Sequence, residues 1–178
     1  GAALATDGND VQFVINRDGD VVWYHETTGD LVSPWAEPSH DGKGGILLNS
    51  FQEDFCTDVG QVARMDMSGN EVEVTLTPEG HHVFVQHADG TIAYIARDIQ
   101  EHEDFPEPVC GDKVVEIAPD GTMTDIFSSW DHFEVVPNGG MQQSFYCDCL
   151  DWTHGNMLAW NPSTNSYLLS FANTNTII

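Results

Sequence analysis

Hydrophobic and polar residues alternate along most of the chain in short runs that are separated by turn-forming residues. Three similar segments are centred on glycines spaced 50 and then 52 residues apart, namely Gly19, Gly69 and Gly121. In each segment, the positions four and six residues before the glycine are apolar, and a second β-prone run follows the turn. These positions are Phe13 and Ile15, Ala63 and Met65, and Val115 and Ile117. A period of two predicts half-buried strands, and the D-G or S-G pairs predict tight hairpin turns.

A second, more apolar set of hairpins lies between these segments. Its members are a run ending at 45–48, the segment HHVFVQHADGTIAYIARD around Gly90, and the segment NMLAWNPSTNSYLLSF around Asn165. One apolar and one polar hairpin in each unit of about fifty residues make the four strands of a β-propeller blade, with the apolar hairpin nearest the axis. A β-sandwich also uses short strands, but it does not require this recurrence. No amphipathic helix is predicted.

The predicted fold is therefore all-β, a single β-propeller segment over 1–178. We expect blades at about 1–30 (partial), 31–77, 78–130 and 145–178 (partial), which is about three four-stranded blades. Propellers have roughly four to eight blades, and an open array leaves strand edges unpaired. We therefore expect further blades, or another chain, to complete the ring.

Charge excludes some functions. The 178 residues contain 29 Asp and Glu against 5 Lys and Arg, for a net charge of −24. Binding to nucleic acid by neutralising phosphates requires clustered basic residues, so no nucleic-acid partner is expected. No apolar run is long enough for a membrane span. The acidity fits a secreted protein, periplasmic or extracellular, in a saline or marine setting, or simply a soluble acidic surface.

Acidic residues are concentrated in two predicted loops, 52–58 and 101–105. Clustered carboxylates suit Ca²⁺, but they also occur as a solvated rim, and the sequence leaves both interpretations open. No other cofactor or metal is expected.

The four cysteines are Cys56, Cys110, Cys147 and Cys149. An even number suits two disulfides, whereas the single residue between Cys147 and Cys149 is too short for the usual zinc spacing. Cys56 and Cys110 lie in equivalent loops of successive predicted blades. We therefore expect these two to pair, with Cys147 and Cys149 pairing locally or with other chains.

Two histidine-containing stretches begin apolar hairpins. His81 and His82 begin one, and the stretch Asp151-Trp152-Thr153-His154-Gly155-Asn156 begins the next. We expect both stretches to point to the propeller axis, where imidazoles can act as donors, nucleophiles or metal ligands. Trp152 would wall the pocket, and Asn156 would donate a hydrogen bond to the same ligand. Each histidine could instead be structural.

The chain resembles the arylsulfotransferase (arylsulfate sulfotransferase) family of secreted bacterial β-propellers. The resemblance rests on PEGHHVF, ADGTIAYIA, VVEIAPDGT and above all DWTHGN, a D-W-x-H-x-N pattern. It implies sulfuryl transfer from a phenolic sulfate ester to a phenol through a sulfohistidine. It also implies that His154 and Asn156 bind the sulfate, and that a further family histidine corresponds to His81 or His82.

Two departures from the family pattern limit this expectation. The family has an arginine shortly after the apolar turn, where this chain has Ala172, and the family's nucleophilic histidine would lie beyond position 178. The net charge also opposes the approach of an aryl sulfate or other oxyanion-bearing ligand. A non-catalytic extracellular propeller used for binding or assembly, with or without calcium, is the alternative function.

Overall fold

The fold is all-β, as the sequence predicts. The computed structural model describes residues 11–27, 31–32, 35–52, 60–135, 142–143 and 149–178. Their strands form four sheets, numbered here from first to fourth in chain order. Adjacent strands within each sheet are almost all antiparallel, and the sheets do not close into a ring. No helix in these ranges is long and apolar enough to cross a membrane.

The first and second sheets contain the first seven strands. The first sheet pairs β1 (Val11–Ile15) with β2 (Val21–Glu26). The second sheet has the order β3-β5-β6-β7, and β4 also pairs with β5. Its strands are β3 (Leu31–Val32), β4 (Ala36–Pro38), β5 (Ile46–Gln52), β6 (Gly60–Met65) and β7 (Glu71–Leu76).

The third sheet is a four-stranded meander with two short additions. Its meander consists of β8 (Gly80–Gln86), β9 (Ile92–Gln100), β10 (Val109–Ile117) and β11 (Met123–Ser128). A short helix, α1 (Ser129–His132), follows β11. Next come β12 (Gln142–Gln143) and β13 (Leu150–Asp151), and β13 lies parallel to the beginning of β10.

The fourth sheet has the order β14-β15-β16, with β14 (Gly155–Asn161), β15 (Ser166–Phe171) and β16 (Thr176–Ile177). Its first turn carries Asn165 at φ 52°, and the three glycines of the fifty-residue repeat also have positive φ, from 83° to 88°. Glycine suits these turns because it has no Cβ to clash in the left-handed region. The hairpin turns therefore lie where the sequence predicts them.

Among the described residues, three apolar cores lie between successive sheets. Alternate residues of β9 explain the arrangement, because Ile92, Tyr94 and Ala96 contribute to one core and Ala93 and Ile95 to the next. The core that contains Tyr94 also includes side chains from the second sheet, and the core that contains Ile95 includes side chains from the fourth sheet. Both faces of the third sheet are thus covered along β8, β9 and β10, as in a blade that lies between two others, whereas β11 is largely exposed.

The first sheet departs from the predicted pattern. Trp23 packs with Leu48 and Met65 of the second sheet, but Phe13 and Ile15 are 54% and 57% exposed. The equivalent apolar positions in the second and third sheets are buried. The difference arises because only one face of the first sheet is covered by a described neighbour.

The predicted pairing of Cys56 with Cys110 is wrong. Cys110 forms a disulfide with Cys149, with a Cα–Cα distance of 5.8 Å. The parallel pairing of β10 with β13 places Val109 and Cys110 opposite Leu150 and Asp151, which brings Cys149 beside β10. Equivalence between blades does not reveal this local contact. Cys56 and Cys147 lie outside the described residues.

Of the two acidic loops, 101–105 lies within the described residues. Residues 53–58 lie outside the described residues, whereas 101–105 form a turn in which Phe105 donates to the carbonyl of His102. Across the part of the chain that the structure describes, no group of three or more His, Cys, Asp or Glu side chains is arranged to hold a metal ion.

Candidate functional site

The structure brings together three of the histidines that the sequence singles out. His81 and His82 lie at the beginning of β8, and His154 lies directly before β14. The ring centroids of His81 and His82 are 5.0 Å apart, and those of His82 and His154 are 5.1 Å apart. His82 thus lies between the other two rings, at the junction of the third and fourth sheets.

The backbone at these histidines is unusual. His82 and His154 have φ values of 57° and 53°, in the left-handed region that non-glycine residues rarely adopt. The pairing of β8 with β9 is irregular between His81 and Phe84, and that of β14 with β15 is irregular between Gly155 and Met157. Bulges of this kind redirect side chains and are common beside active sites. Strained backbone is likewise concentrated at functional sites.

The carbonyl of His82 is held by the neighbouring sheet. The side-chain amide of Asn49, on β5, donates to this carbonyl at 2.8 Å. The oxygen of the same amide accepts from the backbone nitrogen of Trp35 at 3.0 Å. Asn49 is buried, so these bonds satisfy its polar atoms and help to fix the conformation of His82.

Asp112, on β10, joins the two histidine-bearing segments. One carboxylate oxygen contacts Nε2 of His81 at 2.9 Å. The other oxygen accepts from Oγ1 of Thr153 at 2.5 Å and from the backbone nitrogen of Gly155 at 2.6 Å. Burial raises the pKa of Asp112, but the hydrogen bonds from His81, Thr153 and Gly155 outweigh it and lower the pKa below its usual value. Asp112 is thus held as a buried carboxylate.

The pKa values of the other two imidazoles are shifted in opposite directions. Burial lowers the pKa of His82 to about 4, and the charge of His154 acts in the same direction. The carboxylate of Asp151 lies 2.6 Å from Nδ1 of His154, and this hydrogen bond raises the pKa of His154. The site therefore has a neutral imidazole beside one that readily carries a positive charge.

Asn156 and Trp152 occupy different surroundings. Asn156 is exposed, and its side-chain oxygen accepts from the hydroxyl of Ser170 at 2.7 Å. This bond uses only the side-chain oxygen, so the amide NH₂ can donate a hydrogen bond to another group. The indole of Trp152 is buried against Trp130 of α1, with centroids 4.9 Å apart.

The backbone of Ala172 is hydrogen-bonded to that of His154. Its nitrogen donates to the carbonyl of His154 at 3.0 Å, and its side chain is exposed. Arg64 and Arg97 are engaged elsewhere, Arg64 with the carboxylates of Asp41 and Glu73 and Arg97 with Glu79. Neither of these arginines substitutes for the one that Ala172 replaces.

Asp112 is the main site residue that the sequence reasoning missed. It lies in the strand VCGDKVVEI, which also contains Lys113 and Glu116, and only the structure shows that Asp112 is the fully buried charge of the three. His87 lies at a second contact between the third and fourth sheets. Its ring stacks on Trp160 at 4.1 Å and bonds the hydroxyl of Tyr167 at 2.6 Å, so it connects these sheets.

Comparison with known proteins gives one match. No curated protein and no solved structure matches the chain. The family model described as Arylsulfotransferase (ASST) matches residues 2–178, which is nearly the whole sequence. The chain therefore belongs to the arylsulfotransferase family.

Proposed function

We propose that this chain supplies part of the active site of an arylsulfate sulfotransferase. The reaction moves a sulfuryl group from a phenolic sulfate ester to a phenol, through a histidine intermediate. The observation that carries the proposal is the contact between His82 and His154, with ring centroids 5.1 Å apart and pKa values displaced in opposite directions. Paired groups with separated pKa values are typical of acid and base catalysis.

His154 is suited to bind the anionic sulfate. Asp151 holds its Nδ1, which leaves Nε2–H as a donor on a side chain that is 40% exposed. Hydrogen bonds from a charged donor are about twice as strong as neutral ones. The NH₂ group of Asn156, two residues further along, would add a second donor, and the buried Trp152 would support the loop rather than contact the sulfate.

His81 and His82 have different roles in this proposal. His81 is only 7% exposed, and its Nε2 is occupied by Asp112, so it positions its neighbour rather than touching the substrate. His82 is partly exposed and faces His154. Of the two histidines that the family resemblance left open, His82 is therefore the one that would contact the substrate.

The net charge of −24 sets the conditions for the reaction. A negatively charged protein repels an anionic ester at long range, and salt weakens this repulsion because the Debye length falls to about 3 Å at 1 M. The Cys110–Cys149 disulfide supports a location outside the cytosol, where such bonds persist.

The test uses the complete propeller to which this chain contributes, with 4-nitrophenyl sulfate as donor and phenol as acceptor, from low to high salt, and with release of 4-nitrophenol as the readout. We expect turnover that increases with salt and falls at least a hundredfold in His154→Gln. The matched control is His132→Gln, because His132 is exposed on α1 and should leave turnover unchanged. Absence of release at every salt concentration would refute the enzymatic function.

Ala172 favours one alternative, which is binding without turnover. Arginine is the usual bidentate partner of a pair of anionic oxygens, and its replacement by alanine removes this contact. In that case, calorimetry should detect binding of 4-nitrophenyl sulfate to the protein although no nitrophenol is released. His154→Gln would then weaken binding only.

A further inference from the structure

A chain of two hydrogen bonds connects a buried carboxylate to the central imidazole of the site. Asp112 contacts Nε2 of His81 at 2.9 Å, and Nδ1 of His81 contacts Nδ1 of His82 at 2.8 Å. Both distances are typical of hydrogen bonds. In a catalytic triad, a carboxylate orients an imidazole, and the imidazole in turn activates a reactive group. Asp112, His81 and His82 are connected in the same order, and all three lie in the third sheet.

The carboxylate fixes the direction of the first bond. An ionised carboxylate can only accept hydrogen bonds, and Asp112 already accepts from Thr153 and Gly155 at its other oxygen. Nε2 of His81 must therefore carry the hydrogen. A neutral imidazole has one donor and one acceptor, so Nδ1 of His81 is then the acceptor.

The second bond follows from the first. Because Nδ1 of His81 accepts, Nδ1 of His82 must donate, and in a neutral His82 this leaves Nε2 as an unprotonated acceptor. The nitrogen that carries the proton in a histidine is set by the bond that the other nitrogen makes. Asp112 thus determines the tautomer of a residue that it does not touch.

We propose that His82 is the general base of the sulfuryl transfer, acting through Nε2, and that Asp112 and His81 are positioning residues that hold it in this tautomer. The role rests on the proposed function, whereas the tautomer can be measured without any reaction. The ring centroid of His82 lies 5.1 Å from that of His154, so the base lies beside the imidazole that is proposed to bind the sulfate.

The proton and bond changes balance as follows. The acceptor phenol gives its hydroxyl proton to Nε2 of His82 while its oxygen forms the bond to sulfur. Before this step, the sulfur exchanges its bond to the donor aryl oxygen for a bond to the nucleophilic histidine, and the imidazolium of His154 protonates the released aryloxide. The bond between sulfur and that histidine then breaks as the acceptor oxygen bonds to sulfur. Solvent then returns His82 and His154 to their starting states.

Four titratable groups face His82 and decide its state: His81 and Asp112 through the hydrogen-bonded chain, and His154 with its partner Asp151 across the site. If His81 gains a proton, its Nδ1 becomes a donor, the second bond reverses, and Nε2 of His82 takes the hydrogen. The base is therefore available only while His81 is neutral.

The first test is the tautomer in the substrate-free protein, labelled with ¹⁵N at the histidine rings. Long-range ¹H–¹⁵N spectra at mildly alkaline pH should show His82 with a protonated Nδ1 and a bare Nε2, with His82→Gln identifying its signals. The key variant is His81→Gln, because a glutamine amide can still donate to Asp112 but offers no acceptor at the Nδ1 position. We expect its His82 to show a mixture of tautomers.

The second test is kinetic and uses acceptor phenols of graded acidity with 4-nitrophenyl sulfate. His81→Gln should lower kcat with weakly acidic phenols by about a hundredfold, as loss of a general base does, and should affect acidic phenols much less. The KM for the sulfate ester should remain unchanged. A merely structural role would lower the rate with every phenol equally.

The outcomes separate the two proposals. A protonated Nε2 in wild-type His82, or an unchanged tautomer in His81→Gln, overturns the role of His82 as base even if the enzyme is active. An equal loss of rate with all phenols also overturns it. The expected tautomer in a protein that never releases nitrophenol refutes the transferase function and the catalytic role that depends on it, while supporting the hydrogen-bonded chain.

Discussion

The backbone nitrogen of Gly155 donates a 2.6 Å hydrogen bond to the carboxylate of Asp112. The first residue of the fourth sheet is thereby joined to the middle of the third, and the loop that carries His154 is fixed relative to His81. This contact requires that the two backbones approach closely.

The first prediction concerns this approach. A Cβ at position 155 would lie 3.1 Å from Cγ of Asp112 and 3.2 Å from Cγ2 of Ile95, which is closer than ordinary contacts. We expect Gly155→Ala to lower the free energy of unfolding by about 1–3 kcal/mol, the usual effect of overpacking. Urea denaturation measures the change.

The control for this prediction is Met157→Ala on the same strand, because Met157 is exposed and its truncation should have little effect. If Gly155→Ala is as stable as the wild type, the close packing of Asp112 against β14 is not required.

The second prediction concerns pH. The pKa of His82 is about 4 in the folded protein, against about 6.5 for an unperturbed histidine. Between these values the unfolded chain binds more protons than the folded one, so stability should fall as the pH falls from 6.5 towards 4. His154 acts in the opposite sense, because its raised pKa contributes stability that is lost as the pH rises through the folded value.

The measurement is the free energy of unfolding in urea at several pH values from 7.5 to 4.5, for the wild type and His82→Gln. We expect the decrease at acidic pH to be shallower in the variant. Identical pH profiles would mean that His82 is protonated equally easily in both states.

The third prediction concerns Ala172, which is exposed and bonded through its backbone to His154. Ala172→Arg should bind 4-nitrophenyl sulfate about tenfold more tightly, since a hydrogen bond to a charged group contributes about 1.5–3 kcal/mol and part is spent on ordering the side chain. Calorimetry at fixed ionic strength measures the affinity. Ala172→Gln is the neutral control of similar reach, and an equal gain in both variants would exclude the charge as the cause.

The fourth prediction concerns the junction of the third and fourth sheets away from the histidine cluster. The hydroxyl of Tyr167 donates to Glu116 at 2.7 Å and contacts Nε2 of His87 at 2.6 Å. Tyr167→Phe should lower the free energy of unfolding by about 1–3 kcal/mol, because two partners lose a hydrogen bond.

Tyr24→Phe is the control for the hydroxyl, since Tyr24 is 61% exposed, and it should change stability by less than about 0.5 kcal/mol. Equal effects of the two substitutions would show that the contact between Tyr167, Glu116 and His87 contributes nothing.

Periodicity was sufficient to predict much of the fold. The turns at Gly19, Gly69 and Gly121 follow from local chemistry, and strand positions such as Ala63 and Val115 follow from a period of two. The exposure of Phe13 could not be predicted in this way, because it depends on whether another sheet covers that face. Periodicity identifies a strand face as apolar but not what lies against it.

The grouping of the candidate site residues was predictable where a short motif contains them and not where separate strands meet. DWTHGN and the pair of histidines after Gly80 indicated His154, His81 and His82 directly. The position of Asp112 between them depends on the register of β10 and on the arrangement of two sheets. The partner of Cys110 depends on the same arrangement, which explains why both were missed.

The Cys110–Cys149 disulfide lies close to the histidine cluster. It lies two residues from Asp112 and two from Asp151, and it spans 39 positions that include β11 and α1. Both ends of this span are covalently fixed at the histidine cluster. The disulfide therefore limits how far the carboxylate partners of His81 and His154 can separate from each other.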